Sequence, residues 1–366
     1  MKNIICNNQG MWKFYYDKKL GICFYGPGNE TPMILFDKGA EDFDVSCDED
    51  GTIYLLCQDE RNNIYLFYHA NTGWRRQCIL ESKFLVPYDK NFSIIVKNGW
   101  INAFYTIRHS EKTLLIHHIL NNADSPKVIE SFDSPLKYTI TCDSRNNIYC
   151  ICQKESIGYL VYCWNTKSWQ SFSPVQKIKG EICSVSAICD QGDGLHIVCS
   201  VRDKTDYSIY YISRNSVHRI YDGFSFDPEP VILCADKFYI LFKANGRLMQ
   251  CVSENPEEGF LKPSYYFPGS FTPHSLFKLS CQHDLRAHKI FAKTVYGTEP
   301  RLNSFEAAII QSGIDDFDFS VPEIITEKTP DIENFVSESE PFPESDSNLE
   351  ERVSALEQKL NTLLND

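Results

Sequence analysis

Short apolar runs alternate with clusters of turn-forming residues along most of the chain. One run, Ile53-Tyr54-Leu55-Leu56-Cys57, is apolar at successive positions, so the strand that it predicts needs cover on both faces. The preceding Asp48-Glu49-Asp50-Gly51 has the composition of a tight turn, because Asp bonds back to the backbone and Gly accepts a positive φ. Residues 51–58 and 63–69 both have strand length. The pattern predicts an all-β chain of short strands buried on both sides.

These strands recur as a repeat. Residues 46–58 align without gaps with residues 141–153, and a third copy begins at Cys189-Asp190. The two intervals indicate a period of about 47 residues with four strands in each unit. The aliphatic or aromatic centres of the units lie at positions 11, 53, 101, 148, 195, 238 and 290. The spacing therefore predicts seven units.

This repeat resembles that of the β-propeller class over roughly residues 1–320, and no specific family within the class is assigned. The resemblance implies seven radially packed blades, or six if the irregular first and last units merge. Residues 1–9 would form the inner strand of the first blade or complete the last one. The Gly-His and Trp-Asp signature of WD repeats is absent. Residues 46–54 are similar to the Ser-x-Asp-x-Gly-x-x-Trp box of sialidase-type propellers with one residue too many, which we interpret as shared turn geometry.

The C-terminal region has a different composition. Residues 321–347 are acidic and rich in Ser, Pro and Glu, so we expect a disordered linker. Residues 348–366 predict a helix that starts at a Ser347/Glu350 capping box. Its heptad seam is formed by Leu349, Val353, Leu356, Leu360 and Leu363. Arg352 at g and Glu357 at e form an attracting pair between neighbouring helices. We expect a parallel dimer or trimer through this coiled coil, the alternative being a helix that docks on its own propeller.

Charge and cysteine content restrict the class of partner and the compartment. The net charge is −13, and residues 321–366 carry −9 of it. The remaining body is nearly neutral and has no basic run, so we expect no nucleic-acid binding. No window approaches 18 consecutive apolar residues and no signal peptide is evident, so we expect no membrane span and a cytoplasmic location. The 15 Cys lie largely within apolar runs and predict core thiols in a reducing compartment.

No catalytic, metal or cofactor signature emerges from the sequence. Cys150 and Cys152 share one face of a strand without a second pair at zinc-finger spacing, which favours core packing. His117-His118 lies in a strand, so the two rings point to opposite faces and cannot chelate together. The acidic clusters 41–44 and 315–318 suit acid–base chemistry by composition only, and we interpret them as solvated turns.

Candidate binding residues are the repeated Trp74 and Trp169, which follow matching Asn-Thr turns. A repeated Trp either stacks on a sugar ring or packs the outer strand, and lectin propellers resemble this chain in their aromatic residues near blade ends. Our preferred interpretation is a non-enzymatic scaffold whose propeller face binds a protein or peptide and whose coiled coil multimerises it. A multivalent carbohydrate-binding propeller is the alternative, and a hydrolase or lyase acting in the central channel is a second one.

Overall fold

The computed structural model describes residues 2–298, except 30, 71–72, 84–87, 123–124, 134, 267–273 and 282–289. Every regular element in these ranges is a β-strand, which confirms the expected all-β class. Within the same ranges no helix has the length and apolar character needed to cross a membrane. The predicted linker at 321–347 and the predicted coiled-coil helix at 348–366 lie outside the described residues.

The strands pair into six sheets, which we name blades A to F in chain order. Blade A starts with β1 (Lys2–Asn7), β2 (Gly10–Asp17), β3 (Gly21–Tyr25) and β4 (Met33–Phe36). Blade B has β5 (Gly39–Cys47), β6 (Ile53–Asp59), β7 (Ile64–Ala70) and β8 (Gly73–Leu80). Blade C has β9 (Ser93–Lys97), β10 (Trp100–His109), β11 (Lys112–Ile119) and β12 (Lys127–Phe132).

The second half of the ring follows the same plan. Blade D has β13 (Tyr138–Cys142), β14 (Ile148–Gln153), β15 (Ile157–Cys163), β16 (Ser168–Trp169) and β17 (Ser173–Gln176). Blade E has β18 (Glu181–Cys189), β19 (Leu195–Asp203), β20 (Asp206–Ile212) and β21 (Val217–Phe224). Blade F starts with β22 (Val231–Cys234), β23 (Phe238–Ala244), β24 (Arg247–Ser253) and β25 (Ser264–Tyr265). The last three strands are β26 (His274–Cys281), β27 (Phe291–Ala292) and β28 (Thr294–Thr298).

These last strands join existing blades instead of forming another one. β1 pairs in parallel with β26 and antiparallel with β2, and β26 pairs with β28, so blade A contains both ends of the ring. β27 pairs with β22 and extends blade F. The prediction of seven blades was wrong for this reason, since the unit centred near residue 290 is divided between blades A and F. The six-bladed alternative is confirmed, although only part of the last unit, β26 and β28, merges with the first, and β27 joins blade F.

Each pair of neighbouring blades shares a hydrophobic cluster, which explains the strands that are apolar on both faces. Leu55 of β6 packs with Phe14 and Phe24 of blade A, whereas the adjacent Leu56 packs with Phe92 and its neighbours in blade C. Comparable clusters join blades C and D, D and E, E and F, and F and A. Burial of each large apolar side chain contributes about 1.5–3 kcal/mol. The ring is therefore closed by side-chain packing between blades as well as by strand pairing.

The repeated aspartates form one kind of turn in three blades. In each copy one carboxylate oxygen accepts the backbone N–H groups of the residues two and four positions further on. The turn also needs a positive φ three positions after the aspartate, at Gly51 (84°), Asn146 (63°) and Asp193 (62°). The aspartates are Asp48, Asp143 and Asp190. The sequence interpretation of these residues as tight turns is confirmed.

Candidate functional site

The acidic cluster at residues 41–44 lies within β5 and holds two blades together, so its interpretation as a solvated turn was wrong. The Asp42 carboxylate accepts three successive backbone N–H groups, from Lys90 at 2.5 Å, Asn91 at 2.7 Å and Phe92 at 3.2 Å. Burial nevertheless raises the pKa of Asp42 above its usual range. These bonds fix the segment that leads into β9, which is a structural role. The second cluster, 315–318, lies outside the described residues.

His117 and His118 are both buried and bonded, on opposite faces of β11. Nε2 of His117 lies 3.1 Å from Oδ1 of Asn102, and Nδ1 of His118 lies 3.5 Å from the Tyr105 hydroxyl. Each imidazole is thus engaged within the core, and the expected opposite orientation is confirmed. Across the described residues, no group of three or more His, Cys, Asp or Glu side chains is positioned to hold a metal ion.

The thiols behave as core residues. Nine of the fifteen cysteines are buried, and all fifteen are free. Cys150 and Cys152 belong to the cluster between blades C and D, as expected for packing. Burial raises the pKa of Cys199 to about 12. Such thiols remain protonated near neutral pH and are poor nucleophiles.

The repeated tryptophans Trp74 and Trp169 both pack against aromatic residues at blade boundaries. Trp74 lies edge-on to Phe14 and Phe24 of blade A, with centroid separations of 5.9 and 5.5 Å. The indole N–H of Trp169 donates to Nδ1 of His117 at 3.1 Å. These contacts are those expected if the repeated tryptophans pack the outer strands, which is the alternative to stacking on a sugar ring. A ligand role for the two residues stays a prediction.

The other tryptophans include a pair on the surface between blades C and D. Trp100 begins β10 and Trp164 follows β15, and their rings are nearly perpendicular, at 85°, with centroids 6.0 Å apart. The Nζ of Lys167 lies 3.0 Å from the Trp164 ring centroid and 4.9 Å from that of Trp100. Desolvation lowers the pKa of Lys167. We call Trp100, Trp164 and Lys167 the Trp100–Trp164 corner.

Hydrogen bonds on the backbone fix both walls of this corner. The backbone N–H of Ile101 donates to Oδ1 of Asn121 at 3.0 Å. The backbone N–H of Trp164 donates to Oδ1 of Asn147, also at 3.0 Å, and Asn147 belongs to the Asp143 turn. The corner is therefore built on rigid turns of two blades, which is how a preorganised binding site is supported.

The indole N–H groups distinguish this pair from the three remaining tryptophans. Trp12 donates to Asn7, Trp169 donates to His117, and the N–H of Trp74 is buried. Within the described part of the chain, the N–H groups of Trp100 and Trp164 have no acceptor, and neither is buried. Both indoles therefore keep a donor available to solvent or to a ligand.

The repeat pattern did not indicate this pair, because neither tryptophan recurs at the matching position of another blade. Alignment of blades B and D places Trp164 opposite Ala70, and alignment of Gly10 with Gly99 places Trp100 opposite Met11. The sequence signal for this pair is that each tryptophan replaces a smaller or non-aromatic residue of the matching blade. Conserved positions between blades hold the ring together, whereas a side chain found in one blade alone is free to serve another purpose.

No family model matches this sequence, and no curated protein matches it. Solved structures with a similar fold include the fucose-recognising lectin of the fungus Aleuria aurantia, a six-bladed β-propeller, at 13% identity and a TM-score of 0.42, covering 74% of this chain and 96% of that one. The protein AofleA from Arthrobotrys oligospora is 8% identical, with a TM-score of 0.42 and coverage of 72% and 81%. The polysaccharide lyase Uly1 is 10% identical, with a TM-score of 0.44 and coverage of 73% and 81%. With scores this low, the six-bladed assignment rests on the strand pairing itself.

Proposed function

We propose that this chain is a non-enzymatic carbohydrate-binding propeller whose ligand site is the Trp100–Trp164 corner. The observation that carries the proposal is the pair of adjacent, partly exposed indoles with available N–H groups. The candidate catalytic groups support a non-enzymatic role, because the described carboxylates and histidines named above are engaged in turns and blade contacts. The proposal selects the lectin alternative from the two binding functions that the sequence indicated.

The chemistry of the corner suits a sugar ring. The apolar C–H face of a sugar packs on an indole face, and its hydroxyl oxygens accept hydrogen bonds from indole N–H groups. Because the Lys167 ammonium already lies over the Trp164 ring, a sugar that stacks on that face has to displace it, and the second indole would then contact the edge of the sugar. The ammonium group of Lys167 adds a donor and disfavours a cationic ligand such as a basic peptide by like-charge repulsion. A neutral or acidic sugar is therefore the ligand class that fits.

A sugar bound only at the Trp100–Trp164 corner of one propeller would be held weakly. The proposed function therefore includes binding through several corners at once. The predicted coiled coil at 348–366 would hold two or three propellers together and place several corners on one assembly. Linked sites raise the apparent affinity by about 10²–10⁴ when the spacing permits simultaneous binding. Self-association through this segment is part of the proposed function and rests on the heptad pattern alone.

The test is glycan-array binding and calorimetry of the full chain and its variants Trp100→Ala and Trp164→Ala. Both substitutions are expected to abolish glycan binding. Tyr25→Ala is the matched control, because Tyr25 is a partly buried aromatic residue that stacks on Tyr15 in blade A. Near-ultraviolet circular dichroism would verify that each variant is folded. Absence of any glycan binding, or equal binding by the corner variants, would refute the proposal.

A protein partner is a second candidate function, favoured by the outer edge of blade A. The edge strand β4 exposes Met33 (40%) and Ile34 (52%), and Leu20, in the turn between β2 and β3 of the same blade, is 40% exposed. An apolar edge strand presents unpaired backbone groups to which another strand can add. Ile34→Asp would weaken such a partner and leave glycan binding unchanged. Loss of glycan binding on this substitution would place the ligand at blade A instead.

A further inference from the structure

The centre of the ring contains a cavity of about 320 Å³ whose polar lining is rich in lysine. The inner strands of the blades enclose it, including β5, β9, β13 and β18 together with β26 and β27 from the closing segment. Three lysines line it, Lys97, Lys278 and Lys293, against the carboxylates Asp44 and Glu49. Glu49 is also exposed, so the cavity reaches solvent at the end formed by the turns.

One of these lysines is neutralised within the protein. Lys278 on β26 places its Nζ 3.0 Å from Oδ1 of Asp44 and donates to the backbone oxygen of Phe92 at 3.3 Å. The other carboxylate oxygen of Asp44 accepts the backbone N–H of Ile94 at 2.9 Å. The negative charge of Asp44 is therefore neutralised by Lys278, and its other oxygen is bonded to β9, so Asp44 does not serve as the counterion of a second lysine.

Lys293 has no such counterion. Its Nζ donates to the backbone oxygen of Ile140 in β13, and no carboxylate of the described residues lies within 4 Å. Lys97 also has no ion pair within the described ranges. An ammonium group has three N–H donors, so Lys293 keeps two for another partner. Within the described residues, two cationic groups thus face one cavity without an ion-pair partner of their own.

We propose that the central cavity binds a small anion bearing carboxylate or phosphate oxygens, held chiefly by Lys293 and assisted by Lys97. The charged oxygens would supply the missing counterion, and charge-assisted hydrogen bonds are about twice as strong as neutral ones. A cavity of about 320 Å³ is at the lower end of the range of ligand pockets and has room for a di- or tricarboxylate or a phosphate. This site is separate from the Trp100–Trp164 corner and does not depend on its function.

The titration of Lys293 agrees with this arrangement. The pKa of Lys293 is lowered to about 8, chiefly by burial; Asp44 opposes this shift, and repulsion from Lys278 adds to it. A bound anion would favour the charged ammonium and would therefore raise this pKa. The direction of that change is specific to an anion, since a neutral molecule filling the cavity would lower the pKa by desolvation.

The test is isothermal titration of the full chain with citrate and, separately, with inorganic phosphate at low ionic strength. We expect binding by the unaltered protein and about tenfold or greater weakening in Lys293→Met. Lys179→Met is the control for net charge, because Lys179 is 82% exposed and pairs with Asp203 on the surface. The ratio of citrate to phosphate affinity identifies which of the two oxygen chemistries the cavity prefers.

A second measurement protects the test against a variant that does not fold. The pKa of Lys293, followed by NMR in unaltered protein with isotopically labelled lysine, should rise when citrate or phosphate is added. An unchanged or lowered pKa, no heat at probe concentrations above about 1 mM, or equal binding by Lys293→Met would each overturn the proposal. In that event Lys293 would serve only to connect the closing segment to blade D.

Discussion

The indole N–H of Trp169 in blade D donates a hydrogen bond to Nδ1 of His117 in blade C, across a distance of 3.1 Å. Because an indole nitrogen is only a donor, Nδ1 must be the unprotonated nitrogen of the imidazole. Nε2 then carries the proton and donates to Oδ1 of Asn102. One inter-blade contact thus fixes both the tautomer and the charge of a buried histidine.

The first prediction concerns acid stability. Burial lowers the pKa of His117 to about 3, below the value of about 6.5 expected for the unfolded chain. The unfolded state therefore binds more protons between these two values, and stability falls as the pH drops below about 6.5. The loss is up to about 1.4 kcal/mol per pH unit from this group. Urea unfolding at pH 7.5 and pH 5.5 measures it.

His117→Gln is the matched variant, because an amide offers an acceptor and a donor without titrating. It should reduce the pH dependence between 7.5 and 5.5 while preserving the fold. An unchanged slope in this variant would show that His117 is not the group responsible.

The second prediction concerns the turn aspartates. Asp143 accepts bonds from the backbone N–H groups of Arg145 and Asn147, from the Asn147 side chain and from the Tyr149 hydroxyl. Asp143→Ala should lower the free energy of unfolding by about 1–3 kcal/mol, because these donors lose their acceptor. Thermal unfolding followed by circular dichroism is the measurement. Asp133→Ala, at an exposed position, should change the stability by much less.

The third prediction concerns assembly. Removal of residues 348–366 should convert an oligomer into a monomer without changing the thermal stability of the propeller. Light scattering measures the mass, and Leu356→Glu, which charges the predicted seam, should reproduce the effect of the deletion. A full-length chain that is already monomeric at high concentration would contradict the coiled-coil interpretation.

The repeat allowed the local structure of the blades to be predicted from sequence, because turn chemistry acts over a few residues. Asp48, Asp143 and Asp190 occupy the turns that their spacing indicates. Asp59 shows what a repeated turn motif cannot predict. Residues 59–65 match residues 143–149 closely in sequence and form the same bonded turn. Asp59, however, ends β6, and its turn joins β6 to β7, whereas the Asp143 turn follows the inner strand β13. A local motif identifies a turn but does not say which pair of strands it joins.

Blade number and binding surface depend on long-range contacts and could not be obtained in this way. The pairing of Ile4 with Leu279 joins opposite ends of the ring and removes the seventh blade. Likewise, the repeat pattern distinguishes only Trp74 and Trp169, whereas in the folded chain the neighbours of Trp12 and Trp169 supply acceptors and those of Trp100 and Trp164 do not. Solvent access at a blade boundary is a property of the assembled ring.

The parallel pairing of β1 with β26 also sets the order in which the chain is completed during its synthesis. Among the described strands, β1 is made before the others, and its partner β26 follows only after β5 to β25 of blades B to F have been made. At typical elongation rates that delay is on the order of tens of seconds. Throughout this time Ile4, which is fully buried in the finished ring against Phe277 and Leu279 of β26, lacks part of its cover. The nascent chain therefore exposes apolar side chains of β1 until β26 has been made. Slowing translation after blade E should increase the dependence of folding on chaperones.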